Sequence, residues 1–157
     1  MKIHNYEIRV EWTGNLGKGT LDYKAFNRDH IVSGENKAAQ IQGSSDPSFL
    51  GDNKRYNPEE LLVSSISSCH MLWYLHLCAV NKIVVLSYMD KATGVMEETK
   101  NGSGKFKEVT LNPQITLENI EMKEKAEELH TEANKMCFIA NSCNFPIQHR
   151  PQFNIIN

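Results

Sequence analysis

The chain carries four cysteines, and Cys69 lies in a segment whose composition predicts a long apolar helix. Residues 61–80 contain no proline or glycine, and their only charged candidates are His70 and His76. A thiol on such a helix is either inert packing or a protected reaction centre. Reaction with an oxidant requires the thiolate, and an unassisted thiol with a pKa of about 8.5 is only a few per cent ionised at neutral pH. A reactive Cys69 therefore needs a neighbouring cation or directed hydrogen-bond donors.

Two further cysteines occupy different settings. Cys78 follows Cys69 by nine residues, which at about 100° per residue places it close to half a turn away around a helix. We therefore expect Cys78 to be a core residue. Cys137 ends a second helical pattern on its apolar side, where it can face the first helix. There is no C-x-x-C pair, and adjacent side chains such as Cys69 and His70 diverge on a helix, so neither a metal site nor a cofactor is expected.

Length and charge restrict the class of protein. The chain has 157 residues and a formal net charge of −2. This suits a single domain over residues 1–157 and gives no electrostatic reason to expect nucleic acid or an anionic membrane as a partner. The first residues lack the apolar block of a signal peptide, and no uninterrupted apolar run of about eighteen residues is present to span a bilayer. We therefore expect a cytoplasmic protein whose cysteines are reduced, catalytic or buried.

The helix that carries Cys69 has a clear start signal. Asn57 can accept hydrogen bonds from the free N–H groups of the first turn, and Pro58 fits the first helical position. Glu59 and Glu60 complement the positive end of the helix dipole, and Glu60 is placed to complete a capping box with Asn57. Glu59 precedes Cys69 by ten residues, about 15 Å along the axis. Any role of Glu59 at that thiol therefore requires an arginine bridge or a second helix running antiparallel across a dimer.

Strand patterns surround this helix. The predicted strands are residues 4–13, 20–26 and 28–33 before it, and 82–98 (with a bend at 90–94), 106–117 and 147–155 after it. We expect residues 34–56 to be irregular, 101–104 to be a hairpin turn and 119–140 to be a second helix. Strands and helices that alternate in groups favour an α+β fold, with antiparallel sheets packed around two helices. The first helix is expected to be long and buried.

Two segments together resemble the OsmC/Ohr family of thiol-dependent hydroperoxide reductases. The first is Asn-Pro-Glu-Glu-Leu at 57–61 followed by Ser68-Cys69, which matches the family's N-P-E-x-L and its first cysteine ten residues beyond the glutamate. The second is Ala-Asn-Lys-Met-Cys-Phe-Ile-Ala-Asn at 133–141, similar to A-x-x-x-C-P-x-S-N around the second cysteine. Glu-Trp-Thr-Gly at 11–14 with Gly-Lys-Gly-Thr at 17–20 also resembles the OsmC branch. This chain has Phe138 where proline is usual and Asn134 where many relatives have histidine.

The resemblance implies an intertwined homodimer with two active sites at the subunit interface. It also implies that Cys69 is the peroxidatic nucleophile and that Cys137 resolves its oxidised form to a disulfide, which an external thiol reductant reopens. An arginine and a glutamate hold the thiolate in this family. Glu59 matches the glutamate, and Arg28 is favoured over Arg55 as the arginine.

The residues around the thiol predict the kind of substrate. Ile66 and Trp73 are the expected apolar pocket walls, since Trp73 shares a helix face with Cys69, and they favour hydrophobic hydroperoxides. His76, on the same face, is either a satisfied core or interface histidine or a proton carrier. Cys143 is either a spare resolving thiol or a plain loop cysteine.

These inferences predict a thiol-dependent peroxidase that reduces organic hydroperoxides or hydrogen peroxide. The alternative is a dimeric binding or redox-sensing module that kept the fold but lost turnover.

Overall fold

The computed structural model describes residues 2–155 of the chain. The chain divides into two compact units, residues 1–61 and 62–157. The long helix Pro58–Val80 (α1) begins in the first unit and continues into the second.

The first unit is built on a three-stranded antiparallel sheet. Its strands are Arg9–Trp12 (β1), His30–Ser33 (β2) and Ile41–Gly43 (β3), which lie in that order. A short 3-10 helix, Pro47–Phe49, lies in the segment between β3 and α1. The segment expected to be irregular thus contains one short strand and one helical turn.

Residues 20–26 are not a strand, and this prediction was wrong. Residues 20–25 form turns and bends, Phe26 makes a single antiparallel bridge with Asn15, and β1 pairs with β2 instead. The Asp22 side chain accepts a hydrogen bond of 2.7 Å from the backbone N–H of Lys24, a local turn that competes with extended backbone. The chain also folds closely on itself at Gly14, where a Cβ atom would collide with the carbonyl oxygen of Asn27.

The start of α1 is as predicted. The Oδ1 atom of Asn57 accepts a hydrogen bond of 2.8 Å from the backbone N–H of Glu60. The Asn57 N–H in turn donates to Glu60 Oε2 at 3.0 Å. This reciprocal capping box satisfies two backbone donors that would otherwise lack helical partners.

The second unit contains two three-stranded sheets. Its strands are Val85–Asp90 (β4), Thr93–Glu98 (β5), Gly104–Leu111 (β6), Pro113–Leu117 (β7), Ile147–His149 (β8) and Gln152–Ile155 (β9). One sheet has the order β4-β7-β9 and the other β5-β6-β8. Each of the three long strands predicted here is therefore split by a bend, and its two halves lie in different sheets.

The sheets are mixed rather than purely antiparallel. The pairs β4/β7 and β5/β6 are antiparallel, whereas β6/β8 and β7/β9 are parallel. The parallel pairs arise because the chain passes through the second helical region before it returns along β6 and β7 in the same direction, as parallel pairing requires.

The predicted helix at 119–140 is interrupted. A 3-10 turn, Ile120–Met122, precedes the helix Lys123–Met136 (α2), and a short helix, Phe138–Asn141 (α3), follows it. Between α2 and α3, Cys137 has an extended backbone with φ −70° and ψ 108°. Cys137 therefore lies at a break between two helices rather than inside one.

Two hydrophobic clusters form the core of the second unit, and α1 contributes to both. One cluster joins α1 and α2 to the β4-β7-β9 sheet, and the other joins α1 to β6. The buried residues of α1 follow a four-residue spacing on one stripe: Ile66, His70, Tyr74 and Cys78. Elsewhere on the helix Leu72 and Val80 are 62% and 65% exposed. Within a single chain, burial of α1 is thus confined to this stripe.

Among the described residues, α1 is the one helix long and apolar enough to cross a bilayer by length and composition. A core helix of a soluble protein meets the same criterion. The α+β fold class is confirmed. The assignment of residues 1–157 to one domain stays a prediction, and Met1, Ile156 and Asn157 lie outside the described residues.

Candidate active site

Two thiols from distant parts of the chain meet in the second unit. Cys69 lies on α1 and is half-buried, whereas Cys137, at the break between α2 and α3, is fully buried. Both are free thiols, and they lie close enough for Cys69 to influence the pKa of Cys137. The Cys137 sulfur also accepts the backbone N–H of Ala140 at 3.3 Å. The break in the helix thus anchors one sulfur beside the other.

The environment of Cys137 keeps this thiol protonated. Its pKa is raised to about 11, first by burial and then by the neighbouring Cys69 thiol. The backbone N–H groups of Ala140 and Ile139 act in the opposite direction, because they favour the thiolate. Cys137 is therefore a protonated thiol at neutral pH.

The two residues predicted as pocket walls lie on either side of Cys69 along α1. Ile66 is fully buried against Val109 and Leu111. The Trp73 ring meets the edge of the Phe138 ring, with centroids 5.8 Å apart and an interplanar angle of 84°. Phe138 directly follows Cys137 and is 63% exposed. An aromatic pair, Trp73 and Phe138, thus stands beside the thiols.

The remaining cysteines have separate partners. Cys78 is a core residue, as predicted, and lies with Tyr74 in the cluster that joins α1 and α2 to the β4-β7-β9 sheet. The Cys143 thiol donates to the carbonyl oxygen of Ile139 at 3.3 Å, and burial raises its pKa. The prediction that Cys143 is a plain loop cysteine, with a spare resolving thiol as the alternative, stays a prediction.

Arg28 lies in the first unit and is engaged within its own loop. Its guanidinium donates to the carbonyl oxygens of Phe26 and Tyr23, both at 2.6 Å. It also stacks over the rings of these residues, at 4.4 Å and 4.3 Å from their centroids. The two hydrogen bonds use two of the five N–H donors of the guanidinium.

Arg55, in the same unit, retains an unengaged donor. Its Nε atom lies 3.5 Å from Asp29 and 3.8 Å from Asp52. Its Nη1 atom is buried and has no hydrogen-bond partner among residues 2–155. Glu59 lies half-buried in the first turn of α1. The roles of Arg28, Arg55 and Glu59 at the thiolate stay predictions.

The sequence did not predict a histidine cluster, which consists of the buried His70 and His130 and the half-buried His149. His70 Nε2 and His130 Nδ1 are 2.9 Å apart. The His149 ring lies 5.6 Å from that of His70 and 5.9 Å from that of His130. Tyr74 stacks on His130, with centroids 3.9 Å apart. The signal that could have revealed the cluster is positional, because His70 shares the buried stripe of α1 and His130 lies among the apolar positions of α2.

Burial keeps these histidines neutral. The pKa of His70 is lowered to about 4, first by burial and then by His149. The pKa of His130 is lowered to about 3 by burial and by the other two histidines, and burial lowers the pKa of His149 as well. Throughout the part of the chain that the structure describes, no group of three or more His, Cys, Asp or Glu side chains is arranged to hold a metal ion.

The fold and the thiol pair define an α+β protein of the OsmC-like class. The family model for OsmC-like proteins matches residues 51–151, which is more than half of the chain. The chain therefore belongs to the OsmC-like family. A comparison with curated proteins found no match.

Solved structures share this fold over nearly their whole length. An OsmC-like protein of unknown function from Vibrio cholerae is 26% identical, with a TM-score of 0.85 over 96% of this chain and 100% of that one. An organic hydroperoxide resistance protein from Elizabethkingia anophelis is 21% identical, with a TM-score of 0.67 over 98% and 99% of the two chains. A Legionella pneumophila protein described as an organic hydroperoxide resistance protein OsmC is 18% identical, with a TM-score of 0.68 over 97% and 99%.

Proposed function

We propose that this protein is a thiol-dependent peroxidase that reduces organic hydroperoxides or hydrogen peroxide. The proximity of Cys69 and Cys137 carries the proposal, because a two-cysteine mechanism requires its sulfurs to meet. Membership of the OsmC-like family supports it, as do the two structural relatives named organic hydroperoxide resistance proteins.

In the first step the Cys69 thiolate attacks one peroxide oxygen. The S–O bond forms, the O–O bond breaks, and the departing alkoxide takes up a proton and leaves as an alcohol. Cys69 is then a sulfenic acid.

In the second step Cys137 gives up its proton and attacks the sulfur of that sulfenic acid. The S–S bond forms, the S–O bond breaks, and hydroxide leaves with the proton as water. An external dithiol then reduces the disulfide through two exchange steps and is itself oxidised to a disulfide.

The position of the Cys137 sulfur suits the second step. After oxidation, the same sulfur already lies next to the atom that it must attack, so resolution needs little rearrangement.

A cation held by Glu59 is proposed to assist the thiolate. Arg28 is the arginine favoured by the sequence, whereas the unengaged Nη1 of Arg55 favours Arg55. Arg28→Gln and Arg55→Gln form a matched pair for kinetics. Loss of the residue that serves the thiolate should slow peroxide reduction by about 10²-fold, as for other preorganised donors. The rate of peroxide reduction by the other variant should remain within about threefold of the parental rate. Glu59→Gln should lower this rate, as loss of the arginine that Glu59 holds does.

The proposed assembly is a homodimer in the cytoplasm that uses an external thiol reductant. The exposed apolar side chains of α1, among them Leu72 and Val80, support a partner subunit. The second candidate function, a redox-sensing or binding module without turnover, is favoured by the two departures from the family motif, Asn134 and Phe138.

Mutation of the thiols tests the peroxidase. Consumption of cumene hydroperoxide with dithiothreitol as reductant should be abolished in Cys69→Ser, whereas Cys137→Ser should accumulate over-oxidised Cys69. Cys78→Ala is the control, since it removes a core thiol that has no proposed role in turnover. Full turnover by Cys69→Ser would exclude the proposal.

Mass spectrometry after one equivalent of peroxide separates the two candidate functions. A Cys69–Cys137 disulfide supports the peroxidase. Thiols that stay inert or become over-oxidised support the module.

A further inference from the structure

The hydrogen bond between His70 and His130 has a well-defined geometry. The two rings are within 10° of parallel, and their centroids are 5.2 Å apart. That separation exceeds the 2.9 Å between Nε2 and Nδ1 by about two ring radii. The imidazoles therefore lie end to end in nearly one plane, with an N–H group of one directed at the lone pair of the other.

The same geometry argues against a metal site at this pair. The nitrogens that face one another share one hydrogen, and the outer atoms, His70 Nδ1 and His130 Nε2, lie at opposite ends of the pair. Both outer atoms are buried without a partner among the described residues. Nitrogens that point apart cannot converge on one ion.

The hydrogen bond joins the two helices that carry the thiols. His70 directly follows Cys69 on α1, and His130 lies two helical turns before Cys137 on α2. Both histidines are at most 1% exposed, and both are neutral at pH 7, so one of them can always accept from the other. A buried, directional polar contact of this kind can select one register between packed helices, which apolar contacts alone define less sharply.

We propose that His70 and His130 are a positioning pair, whose hydrogen bond holds α1 and α2 in the register that keeps the Cys69 and Cys137 sulfurs in contact. A disulfide tolerates Cα separations of only about 4.4–6.8 Å. The width of that range, about 2.4 Å, is about half the 5.4 Å rise of one helical turn. A shift of α1 by part of a turn would therefore separate the sulfurs. The proposal rests on the thiol pair of the proposed function but not on peroxide turnover.

The test measures the equilibrium between the two thiols and oxidised dithiothreitol at pH 7. Cys69 and Cys137 each lose a hydrogen as their S–S bond forms, and the disulfide of dithiothreitol takes up those hydrogens as it opens. Alkylation and mass spectrometry give the fraction of Cys69–Cys137 disulfide. This fraction reports the effective concentration of one thiol at the other.

The variants follow from the atoms involved. Glutamine places its amide nitrogen near the position of Nε2, and asparagine places its own near Nδ1, so His70→Gln and His130→Asn retain a hydrogen bond. His70→Leu and His130→Leu remove it. We expect the leucine variants to lower the effective concentration at least about tenfold, equivalent to about 30 mV for a two-electron couple. The amide variants should remain within about threefold of the parent.

Two further variants separate positioning from stability. A single leucine leaves one buried imidazole unpaired, but the double variant H70L/H130L replaces both partners and so restores much of the stability. The proposal requires the double variant to remain impaired in disulfide formation. His149→Gln alters a ring of the same cluster that lies outside the hydrogen bond, and it should leave the equilibrium unchanged.

Parental disulfide formation in the double leucine variant would overturn the proposal, as would failure of the parent to form the disulfide at all. A scalar coupling across the N–H···N bond, observed by ¹⁵N NMR in the parent and lost in the leucine variants, would support it. If the leucine variants are impaired but the parent consumes no peroxide, the peroxidase is excluded and the positioning pair stands.

Discussion

Acidification should destabilise the protein through the histidine cluster. In the folded state the pKa is about 4 for His70 and about 3 for His130, while in the unfolded chain both return to about 6.5. Between these values the unfolded state binds more protons than the folded state. Stability is therefore fully present above pH 7 and is lost as the pH falls through 6.5 toward 4.

The size of this loss follows from the shifts. Each histidine contributes a slope of up to about 1.4 kcal/mol per pH unit. At pH 5 each of the two therefore removes about 2 kcal/mol, or about 4 kcal/mol together. This is a large share of the 5–15 kcal/mol that typically stabilises a domain. His149, whose pKa is lowered too, acts in the same direction.

Urea unfolding at pH 7.5, 6.5, 6.0, 5.5 and 5.0 measures this effect, at fixed protein concentration and with a reductant present. The range stops at pH 5 because carboxylates titrate below it. The matched control is the double variant His70→Gln/His130→Asn, whose new side chains do not titrate. The slope of its free energy of unfolding against pH should correspond to nearly two fewer protons taken up on unfolding. A parent whose free energy of unfolding changes by less than about 1 kcal/mol between pH 7.5 and 5 would refute the idea that both imidazoles are neutral and buried.

Three other predictions concern the fold and are measured as free energies of unfolding in urea. Asn57→Ala removes the capping box of α1 and should cost about 1 kcal/mol, whereas Asn57→Asp keeps an acceptor and should cost less; equal losses would contradict the capping role. Ile115→Ala truncates a fully buried side chain and should cost about 2–5 kcal/mol, while Ile3→Ala, at a position 75% exposed, should stay within about 0.5 kcal/mol. Gly94→Ala would place a Cβ atom 2.7 Å from Phe106 and 2.8 Å from Val63 and should cost about 1–3 kcal/mol; a loss no larger than that of exposed Thr93→Ala would show that these neighbours yield freely.

Features that depend on residues close together in the sequence could be predicted from the sequence. The start of α1 could be predicted because Asn57 and Glu60 satisfy each other within a single turn. The core position of Cys78 could be predicted because helical geometry sets its direction relative to Cys69. The α+β class followed from the grouping of strand and helix patterns.

Contacts between residues far apart in the sequence could not be predicted from these local patterns. Apolar spacing continues through Cys137, so it did not reveal that the backbone there is extended. The hydrogen bond of His70 with His130 depends on how two helices pack, and neither residue alone indicates the other. The pairing of Cys69 with Cys137 was expected from a family resemblance, since their spacing in the sequence carries no information about contact. The alternation of apolar and polar residues also did not reveal that each long strand is divided between two sheets.

The bends that split those strands have a topological consequence. Because β8 and β9 occupy an edge of different sheets, a chain ending after Pro146 would bare the flanks of β6 and β7 simultaneously. Two unsatisfied rows of backbone amides and carbonyls would then be open to intermolecular pairing. Strands β8 and β9 thus protect the molecule from aggregation at two places, so removal of both strands should favour insoluble material.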